Sequence, residues 1–587
     1  MEQNRKISNE IFASLGNYAS HISTSLDSLS NQNFIERLWA KDPTLWKQEP
    51  EHRKIITNAL GWLNVTKTVQ EQINSVVSFS DEIRESGFKQ IVLLGMGGSS
   101  LAPEVLRSTF GLIPGYPELI VLDSTDPDAV TTIENRINIS QTLFLFCSKS
   151  GSTIEPLSLF RYFYSKVRAY KNDLAGENFV SITDPGTELE KLSKDQNFRR
   201  IFLNPSDIGG RFSALSYFGI VPTALIGIDI SKFLDRAQSM ADDCVCTAPP
   251  EKNPGLYLGS ILGTLSKKGR TKATFILSPE IEVFSLWLEQ LIAESTGKEG
   301  KGIVPIAGEP LDDADKYGND RAFFYLRLQS TPEDSLKPLD QGIEALVNAG
   351  HPVIRIDLSD TYDLAREFFR WEVATAVAGA VIGVNPFDQP DVESAKVRTR
   401  VLLSDVVSKG SLPPLQAKFV KEHFSLTFGV KTWKKSLSGC KNEDSTTALN
   451  NFFKLLKKDE YLGILSYFDP NNAWLKKTFI SLREKLRKRL GATIQFGFGP
   501  RYLHSTGQLH KGGANNGLFL IITHVLENDV AIPGEEYTFG QLEISQALGD
   551  LQALDSNGRR VALIQLKSPL DKAFTELQNV IEEATKI

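Results

Sequence analysis

Short apolar segments with strand character recur along the first half of the chain, and each is followed by a segment with helical periodicity. The apolar segments are 90–94, 119–122, 142–146, 179–182 and 200–203. Strands that alternate with helices usually pair in parallel, because each helix returns the chain to the starting edge of the sheet. The sequence therefore predicts an α/β fold with doubly wound parallel sheets and helices on both faces. In such a fold, ligands bind at the carboxyl ends of the strands.

The length of the chain, 587 residues, exceeds what a single hydrophobic core usually supports, so several domains are expected. A second series of strands is predicted at 273–277, 323–328 and 352–356. The predicted division is a helical N-terminal segment (1–55), a first α/β domain (56–245), a second α/β domain (246–400), a helical insertion (401–490) and a C-terminal α/β unit (491–587). Trp39 and Trp46 are predicted to anchor the N-terminal segment to the rest of the chain.

The C-terminal unit repeats part of the second α/β domain. Residues 345–358 match residues 553–566 at six of fourteen positions without a gap. The same comparison pairs the strand at 273–276 with 492–494 and the strand at 323–328 with 518–522. Short apolar strands resemble one another by chance, but the order of the matches favours a partial internal duplication.

Charge and composition exclude several classes of partner. The net charge is -6 with the two signs interspersed, which argues against nucleic acid as a partner. No apolar run reaches 18 residues, so no membrane-spanning helix is expected, and the N-terminus lacks the apolar core of a signal peptide. Four cysteines in a chain of this length suit a reducing compartment, and a cytoplasmic location is predicted.

Two loops that follow predicted strands could hold an anionic ligand. Residues 95–100 (Gly-Met-Gly-Gly-Ser-Ser) depart from the dinucleotide fingerprint and contain no P-loop lysine, so they suit a small polar ligand. Residues 148–153 (Ser-Lys-Ser-Gly-Ser-Thr) hold five hydroxyl or ammonium donors at the start of a helix. Such donors and the helix N-terminus can bind a phosphate dianion together without a metal. The alternatives are a tight strand–helix turn and a simple N-cap with surface serines.

A helix predicted around residues 287–296 carries two polar side chains that face the same way. Gln290 and Glu294 are four residues apart, so they share a helix face, and Glu294 lies near the helix end at Gly297. Taken alone, these residues could equally be a solvated face. Upstream, Arg211 follows Gly209 and Gly210, where the backbone can approach a ligand closely. An arginine there could stabilise a developing anion, although a surface arginine is the simpler interpretation.

Two further motifs lie beyond this helix. Gln389 and Lys396 are seven residues apart, so a helix joining them would direct both into one cleft. His504 lies in the sequence His-Ser-Thr-Gly-Gln at 504–508. A lone histidine is usually structural, so this motif gains weight only from its neighbours.

Together these motifs resemble those of phosphoglucose isomerase. Five of them stand in the family's order over about 300 residues: 95–99, 148–153, 209–211, 290–298 and 385–396. The likeness is strongest to the isomerase half of fused transaldolase–phosphoglucose isomerase proteins, and no transaldolase half is present. The resemblance implies two sugar-isomerase-type domains and a cytoplasmic enzyme of glycolysis and gluconeogenesis.

The resemblance implies interconversion of glucose 6-phosphate and fructose 6-phosphate. It assigns the proton transfer between C2 and C1, through a cis-enediol intermediate, to Glu294, and stabilisation of the enediolate charge to Arg211. Ring opening is assigned to His504 and Lys396. The residues expected to bind substrate are Gly98, Ser99, Ser148, Lys149, Ser150, Thr153, Gly210, Gln290 and Gln389. No metal or organic cofactor is implied. The expected partners are a small sugar phosphate and a second copy of the chain, with a monomer as the open alternative.

The position of the histidine departs from the family pattern. In the family the histidine usually falls between the glutamate and lysine motifs, whereas His504 follows Lys396. His351 lies in the usual interval but has different neighbours, so His504 is favoured. If the C-terminal unit duplicates the second domain, one copy could have kept the glutamate and the other the histidine. In that case His504 would enter the cleft that holds Glu294, Lys396 and Ser148.

Two alternatives to a glucose-6-phosphate isomerase stay open at this level. One is a related isomerase that accepts mannose 6-phosphate or an amino-sugar phosphate, because such specificity depends on fine details of pocket shape. The other is a regulator that binds sugar phosphates without catalysis. A regulator would need the phosphate loops but not Glu294, His504 and Lys396, so their presence favours an enzyme.

Overall fold

The computed structural model describes residues 4–6, 11–247, 249–412, 417–440 and 444–586. These residues form two compact units. The first unit comprises Met1–Val121, Asn138–Leu157 and Lys166–Gln389, and the second comprises Leu122–Ile137, Ser158–Ser165 and Pro390–Ile587. The five domains expected from the sequence, and the boundaries between them, remain predictions.

The described residues contain three sheets built from strands β1 to β17. In chain order the strands are β1 (Asn4–Lys6), β2 (Ile11–Ser14), β3 (Gln90–Leu94), β4 (Glu118–Leu122), β5 (Thr142–Cys147), β6 (Phe179–Thr183), β7 (Arg200–Leu203), β8 (Lys272–Leu277), β9 (Val304–Ile306), β10 (Arg321–Leu328), β11 (Val353–Leu358), β12 (Phe419–Val420), β13 (Phe424–Phe428), β14 (Tyr461–Tyr467), β15 (Thr493–Gly499), β16 (Gly517–His524) and β17 (Arg560–Leu566).

Helices α1 to α22 connect and cover the strands. They are α1 (Ala19–Asn31), α2 (Phe34–Trp39), α3 (Pro50–Thr57), α4 (Val65–Gln70), α5 (Ile73–Glu85), α6 (Leu101–Phe110), α7 (Pro127–Arg136), α8 (Ile154–Lys171), α9 (Glu188–Asp195), α10 (Tyr217–Leu225), α11 (Ile230–Val245), α12 (Pro254–Lys267), α13 (Phe284–Thr296), α14 (Glu333–Asn348), α15 (Leu364–Ile382), α16 (Glu393–Lys409), α17 (Val430–Thr432), α18 (Ser445–Phe453), α19 (Ala473–Leu490), α20 (Gly507–Gly512), α21 (Phe539–Ser556) and α22 (Leu570–Ala584). Within the described ranges, no helix is long and apolar enough to cross a membrane.

The first sheet has the strand order β4-β3-β5-β6-β7, and its pairs from β3 to β7 are parallel. All five strands predicted from the apolar segments are present, which confirms the parallel α/β fold. The strand order reverses between β3 and β5, because β4 lies on one side of β3 and the later strands lie on the other. Such a reversal leaves a crevice at the carboxyl ends of the two strands, where ligands of open α/β sheets bind.

The second sheet has the order β1-β2-β11-β10-β8-β9 and also belongs to the first unit. Strands β8, β9, β10 and β11 pair in parallel, whereas β2 is antiparallel to β11 and β1 is antiparallel to β2. The segment 1–55, predicted to be helical, therefore contains two strands, β1 and β2, in addition to its helices, and the prediction is corrected at these strands. Ile11 and Ala13 are buried, so this edge of the second sheet is built from the N-terminal part of the chain.

The two predicted tryptophan anchors are confirmed within the first unit. The Trp39 indole stacks on Phe369 with ring centres 6.2 Å apart, and its N–H donates to the carbonyl of Cys244 at 3.2 Å. The Trp46 N–H donates to the carbonyl of Ala376 at 2.8 Å. Each anchor thus combines apolar burial with a satisfied polar group.

The third sheet lies in the second unit and has the order β12-β13-β17-β16-β14-β15. Strands β12, β13 and β14 fall within 401–490, so the prediction of a helical insertion there is corrected in its secondary structure. β13 shows the period of two that is typical of a strand, because Phe424, Leu426 and Phe428 are buried and alternate with partly exposed residues. β14 is buried along its whole length, which suits a strand inside a parallel sheet.

The second and third sheets have the same topology, strand for strand. In each sheet, four parallel strands are flanked by two antiparallel strands that precede them in the chain, and the spatial orders correspond from β1/β12 to β9/β15. The match between 345–358 and 553–566 aligns β11 with β17, as the duplication requires. One strand pairing is wrong, however: β8 corresponds to β14, not to the strand at 492–494, which is β15.

A buried ion pair joins β10 of the second sheet to the segment that follows β9. The Arg321 guanidinium on β10 donates to both carboxylate oxygens of Glu309, at 2.6 and 3.0 Å, and to Thr274 Oγ1 on β8 at 2.8 Å. Both charged side chains are almost fully inaccessible to solvent. Burial disfavours the charged form of Arg321, but Glu309 outweighs this effect and raises the arginine's pKa.

We predict that Arg321→Met destabilises the first unit by about 3–5 kcal/mol, because it leaves the Glu309 carboxylate buried without its partner. The double variant Arg321→Met/Glu309→Gln should be more stable than this single variant. Thermal unfolding of both variants and of Glu309→Gln completes the cycle. A double variant less stable than Arg321→Met would show that the unpaired Glu309 carboxylate does not cause the destabilisation.

Candidate active site

Two glycine loops of the first unit meet backbone to backbone at the carboxyl edge of the first sheet. The turn Gly97–Ser99 follows β3, and the turn Gly210–Phe212 follows β7. A Cβ atom on Gly98 would lie 2.0 Å from the carbonyl oxygen of Gly210, so only glycine fits there. The Ser213 hydroxyl also donates to the Gly98 carbonyl at 3.2 Å. The contact fixes Arg211 beside the crevice between β3 and β5.

The Arg211 guanidinium is buried, and each of its nitrogens donates to neighbouring groups. Nε donates to Ser295 Oγ at 2.8 Å, and Nη1 contacts Gln389 Oε1 and Glu294 Oε1, both at 3.0 Å. Nη2 donates to two backbone carbonyls, those of Pro386 at 2.6 Å and Asp388 at 3.0 Å. A guanidinium has five N–H donors, and the five acceptors match that number. Arg211 therefore joins α13 to the loop at 385–389.

Glu294 lies close to the end of α13, as predicted, and shares its face with Gln290. Gln290 Nε2 donates to Glu294 Oε2 at 3.2 Å, and Arg211 holds the other carboxylate oxygen. The Glu294 side chain retains 14% exposure, whereas Arg211 retains 4%. Glu294 is thus oriented by two neighbours and still reaches solvent, which a residue that moves a substrate proton requires.

A buried lysine with an altered pKa supports the loop at 385–389. Lys298 Nζ pairs with Asp388 Oδ1 at 2.8 Å and also donates to the Asp388 carbonyl. Burial, followed by the nearby charge of Arg211, lowers the pKa of Lys298 to about 8, although Asp388 opposes the shift. The other carboxylate oxygen of Asp388 contacts His52 Nδ1 at 3.2 Å and Asn385 Nδ2 at 3.0 Å.

The predicted phosphate loop is a compact turn between β5 and α8. Gly151 has a left-handed φ of +71°, and its N–H donates to Ser148 Oγ at 3.1 Å. Ser148 Oγ also lies 3.4 Å from Thr153 Oγ1, and the exposed Ser150 hydroxyl lies 3.1 Å from that of Ser152. The loop therefore gathers its hydroxyls at the N-terminus of an 18-residue helix.

Lys149 points away from the other donors of this loop. Its ammonium pairs with the carboxylate of Asp184 and donates to the Ser206 carbonyl at 2.9 Å. Lys149 thus ties the loop to the segments after β6 and β7. The ammonium of Lys149 therefore already has a partner within the protein. The assignment of Lys149 to substrate binding stays a prediction.

Lys396 lies on the first turn of α16 in the second unit. Its side chain is 48% exposed, and its ammonium is 3.8 Å from Glu393. The helix begins at Glu393, so no helix joins Gln389 to Lys396, and the two-turn spacing expected from the sequence does not apply.

His504 ends the turn Arg501–His504, which follows β15 in the second unit. Arg501 forms a bidentate pair with Asp123, with both contacts at 2.7 Å. Gln508 exchanges two hydrogen bonds with Asp391: its Nε2 donates to the carboxylate at 2.6 Å, and its Oε1 accepts from the Asp391 N–H at 2.9 Å. The His-Ser-Thr-Gly-Gln motif is therefore linked to the segment that leads into α16 and Lys396.

His351, the alternative histidine, occupies a structural position in the first unit. It precedes β11, at the amino-terminal edge of the second sheet, opposite the edge where ligands bind. Its Nδ1 is 3.4 Å from Arg270 Nη1, its ring contacts Phe323, and burial lowers its pKa. These surroundings suit a core histidine.

Three residues that position the site received no role from the sequence: Ser295, Lys298 and Asp388. All three lie inside the motifs 290–298 and 385–396. Their position within these motifs is therefore the feature of the sequence from which they could have been identified. Two of Arg211's acceptors are backbone carbonyls, which leave no trace in residue identity.

Comparisons with known proteins show which family the chain resembles. The family model for phosphoglucose isomerase matches residues 50–306, a stretch that contains Arg211, Gln290 and Glu294 but not Lys396 or His504. A probable glucose-6-phosphate isomerase of Methanococcus maripaludis is 30% identical over 58% of this chain and 84% of its own length. A glucose-6-phosphate isomerase of Leptospira interrogans is 27% identical over 65% of this chain and 94% of its own length.

Two solved structures share the fold. A hypothetical protein from Thermus thermophilus has a TM-score of 0.56 and 25% identity, with 67% of this chain and 100% of its own covered. A glucose-6-phosphate isomerase from Chlamydia trachomatis has a TM-score of 0.55 and 17% identity, with 70% of this chain and 91% of its own covered.

We predict that Gly98→Ala displaces the Gly210–Arg211 turn. Overpacking of this kind costs about 1–3 kcal/mol, so the thermal unfolding temperature should fall and any activity that needs Arg211 should fall with it. Gly210→Ala is the matched control for the unfolding temperature, because a Cβ there would meet nothing within 4 Å. Equal falls in the unfolding temperature of both variants would mean that the close backbone approach at Gly98 is not the source of the loss.

Proposed function

The chain belongs to the phosphoglucose isomerase family, and we propose that it interconverts glucose 6-phosphate and fructose 6-phosphate. The observation that carries the proposal is the Glu294 carboxylate held between Gln290 and Arg211 beside the crevice of the first sheet. An aldose–ketose isomerisation needs one base that moves a proton between adjacent carbons and a cation that stabilises the intermediate charge. Both groups are present, within direct contact of each other.

Glu294 removes the proton from C2 of the open-chain aldose and returns it to C1, which gives the ketose through a cis-enediol intermediate. Arg211 directs its donors to protein acceptors, including Glu294 itself. Substrate binding therefore exchanges one contact on Nη1, so that the guanidinium faces the enediolate oxygen instead of the carboxylate.

The phosphate group binds at the loop 148–153. The hydroxyls of Ser148, Ser150 and Thr153, the loop N–H groups and the start of α8 provide donors for a dianion. Gly98 and Ser99 border the same crevice, and Gln290 and Gln389 orient the sugar hydroxyls. This set of donors uses no metal.

Ring opening is assigned to His504 and Lys396, which exchange protons with the ring oxygen and the anomeric hydroxyl. Support for this assignment comes from the family motifs and from the Gln508–Asp391 hydrogen bonds that connect the two motifs. We further propose that the enzyme acts in the cytoplasm, and that it forms a homodimer.

Glu294→Gln should abolish isomerisation while substrate binding persists, because the amide keeps its shape but cannot accept the substrate proton. General acid–base groups contribute roughly 10²–10⁴-fold, so turnover of glucose 6-phosphate should fall by at least about 100-fold. A coupled assay measures turnover, and isothermal titration measures binding. Retention of more than about a tenth of wild-type turnover would exclude Glu294 as the base, since general acid–base catalysis is worth more than that.

His504→Ala should slow turnover of the cyclic sugar phosphate strongly, because ring opening precedes proton transfer. Exchange of the C2 proton in substrate that is already open should change much less. NMR in deuterated water separates the two steps. His351→Ala is the matched control and should leave ring opening at the wild-type rate; equal defects in both variants would contradict the assignment of His504.

A further inference from the structure

The second unit holds a cluster of metal-ligating side chains that the proposed mechanism does not use. The Asp126 cluster consists of Asp126, His524 and Glu543, whose potential ligand atoms all lie within 4.8 Å of one another. The side chains of Asp126 and His524 are 1% and 6% exposed, and Glu543 is 4% exposed. All three residues belong to the same compact unit.

The cluster occupies the edge of the third sheet where ligands bind. His524 is the last residue of β16, Glu543 comes from α21, and Asp126 lies immediately before α7. Carboxyl ends of parallel strands are the usual binding edge of α/β sheets. The equivalent edge of the second sheet contains a cavity of about 250 Å³, lined in part by Ser335, the residue that corresponds to Glu543 when 345–358 is aligned with 553–566.

Two of the three side chains are held in place by other contacts. One carboxylate oxygen of Asp126 caps α7 by accepting from the N–H groups of Asp128 and Ala129, at 2.8 and 3.0 Å. The other oxygen is thereby turned towards His524 Nε2, at 3.3 Å. The imidazole stacks on Phe468, with ring centres 4.6 Å apart and planes 13° from parallel, which fixes the direction of Nε2.

A carboxylate oxygen of Glu543 gives independent evidence that the cluster binds a ligand. Its Oε1 is buried and has no hydrogen-bond partner among the described residues. A buried carboxylate oxygen without a partner is costly, and a cation would compensate its negative charge. Asp469 adds a further acidic side chain near the cluster, because it is 6% exposed and close enough to interact electrostatically with Asp126.

The spacing between the ligand atoms of Asp126 and His524 suits a small divalent ion. Two ligand atoms at about 2.1 Å from a tetrahedral zinc ion lie roughly 3.4 Å apart, close to the spacing between Asp126 and His524. One imidazole nitrogen with carboxylate oxygens is a donor set that suits Zn²⁺ or Mn²⁺ better than the all-oxygen preference of Mg²⁺. The third sheet has this set and the second does not, since the strand position equivalent to His524 in the second sheet is Leu328.

We propose that Asp126, His524 and Glu543 bind one divalent transition-metal ion, with Zn²⁺ as the best-matched probe. The ion would join the start of α7, the end of β16 and α21, and so would stabilise the second unit. The proposal concerns a structural ion and does not depend on the isomerase mechanism.

The experiment uses the full chain after dialysis against a chelator. Titration with ZnCl₂ followed calorimetrically, together with elemental analysis after gel filtration, should give one equivalent of zinc and a higher unfolding temperature. MnCl₂ should compete, and MgCl₂ at the same concentration should not. Wild-type protein that retains no zinc would overturn the proposal and would indicate that the cluster shares protons instead.

The variants His524→Asn and Glu543→Gln should each lose at least about 100-fold in zinc affinity, since each removes a direct ligand and even the loss of an outer partner costs about 10–100-fold. Their matched controls are His510→Asn and Glu372→Gln, which also replace a buried histidine and a buried glutamate but lie outside the cluster. The controls should bind zinc as the wild type does. If the cluster variants bound zinc with wild-type affinity, the zinc would be bound at another site, which would contradict the proposal.

A measurement on wild-type protein covers the case in which the cluster variants do not fold. Zinc should slow backbone hydrogen exchange in peptides that contain Asp126, His524 and Glu543. Protection confined to other peptides would overturn the proposal. Isomerase turnover, followed in parallel, separates this outcome from a failure of the proposed function.

Discussion

The first unit's site depends on a single buried cation, the Arg211 guanidinium. Burying such a group is unfavourable unless its donors are satisfied, and here five acceptors from two other segments satisfy them. The planar fork of arginine suits this task, because lysine could not reach acceptors in five directions. The positions of Glu294, Gln389 and the loop at 385–389 are consequently coupled, and the site is organised before any ligand arrives.

This organisation works against the proposed chemistry in one respect. Glu294 must act as the base and Arg211 must face the enediolate, but Nη1 of Arg211 already contacts the Glu294 carboxylate. An enediolate competes for the same Nη1 donor as the reaction proceeds. The exchange would place the favourable interaction of Arg211 with the substrate in the transition state rather than in the ground state.

The sequence predicted those features that leave a local pattern. Apolar segments located every strand of the first sheet, and the four-residue spacing placed Gln290 and Glu294 on one helix face. Features with non-local causes were missed. β2 becomes a strand because β11 offers it an edge, and the helical character of the segments around β14 obscured that strand. The acceptors of Arg211 include backbone carbonyls, whose positions depend on the path of the loop rather than on residue identity.

The matched topology of the second and third sheets explains how one chain could acquire different chemistry at equivalent places. In the second sheet, the helix between the first two parallel strands is α13, which carries Glu294 near its end. The corresponding helix of the third sheet is α19, and the residues of its last turn before Leu490 are all basic. The next connection contains His504 in the third sheet, whereas residues 307–320 of the second sheet contain no histidine. At the binding edge, Leu328 and Ser335 correspond to His524 and Glu543.

A duplicated sheet preserves its strand order because the core requires it, whereas the loops and strand ends outside that core are free to diverge. On the duplication hypothesis, divergence of the two copies at their edges would account for the departure of the histidine from the family's order, with the strand framework unchanged.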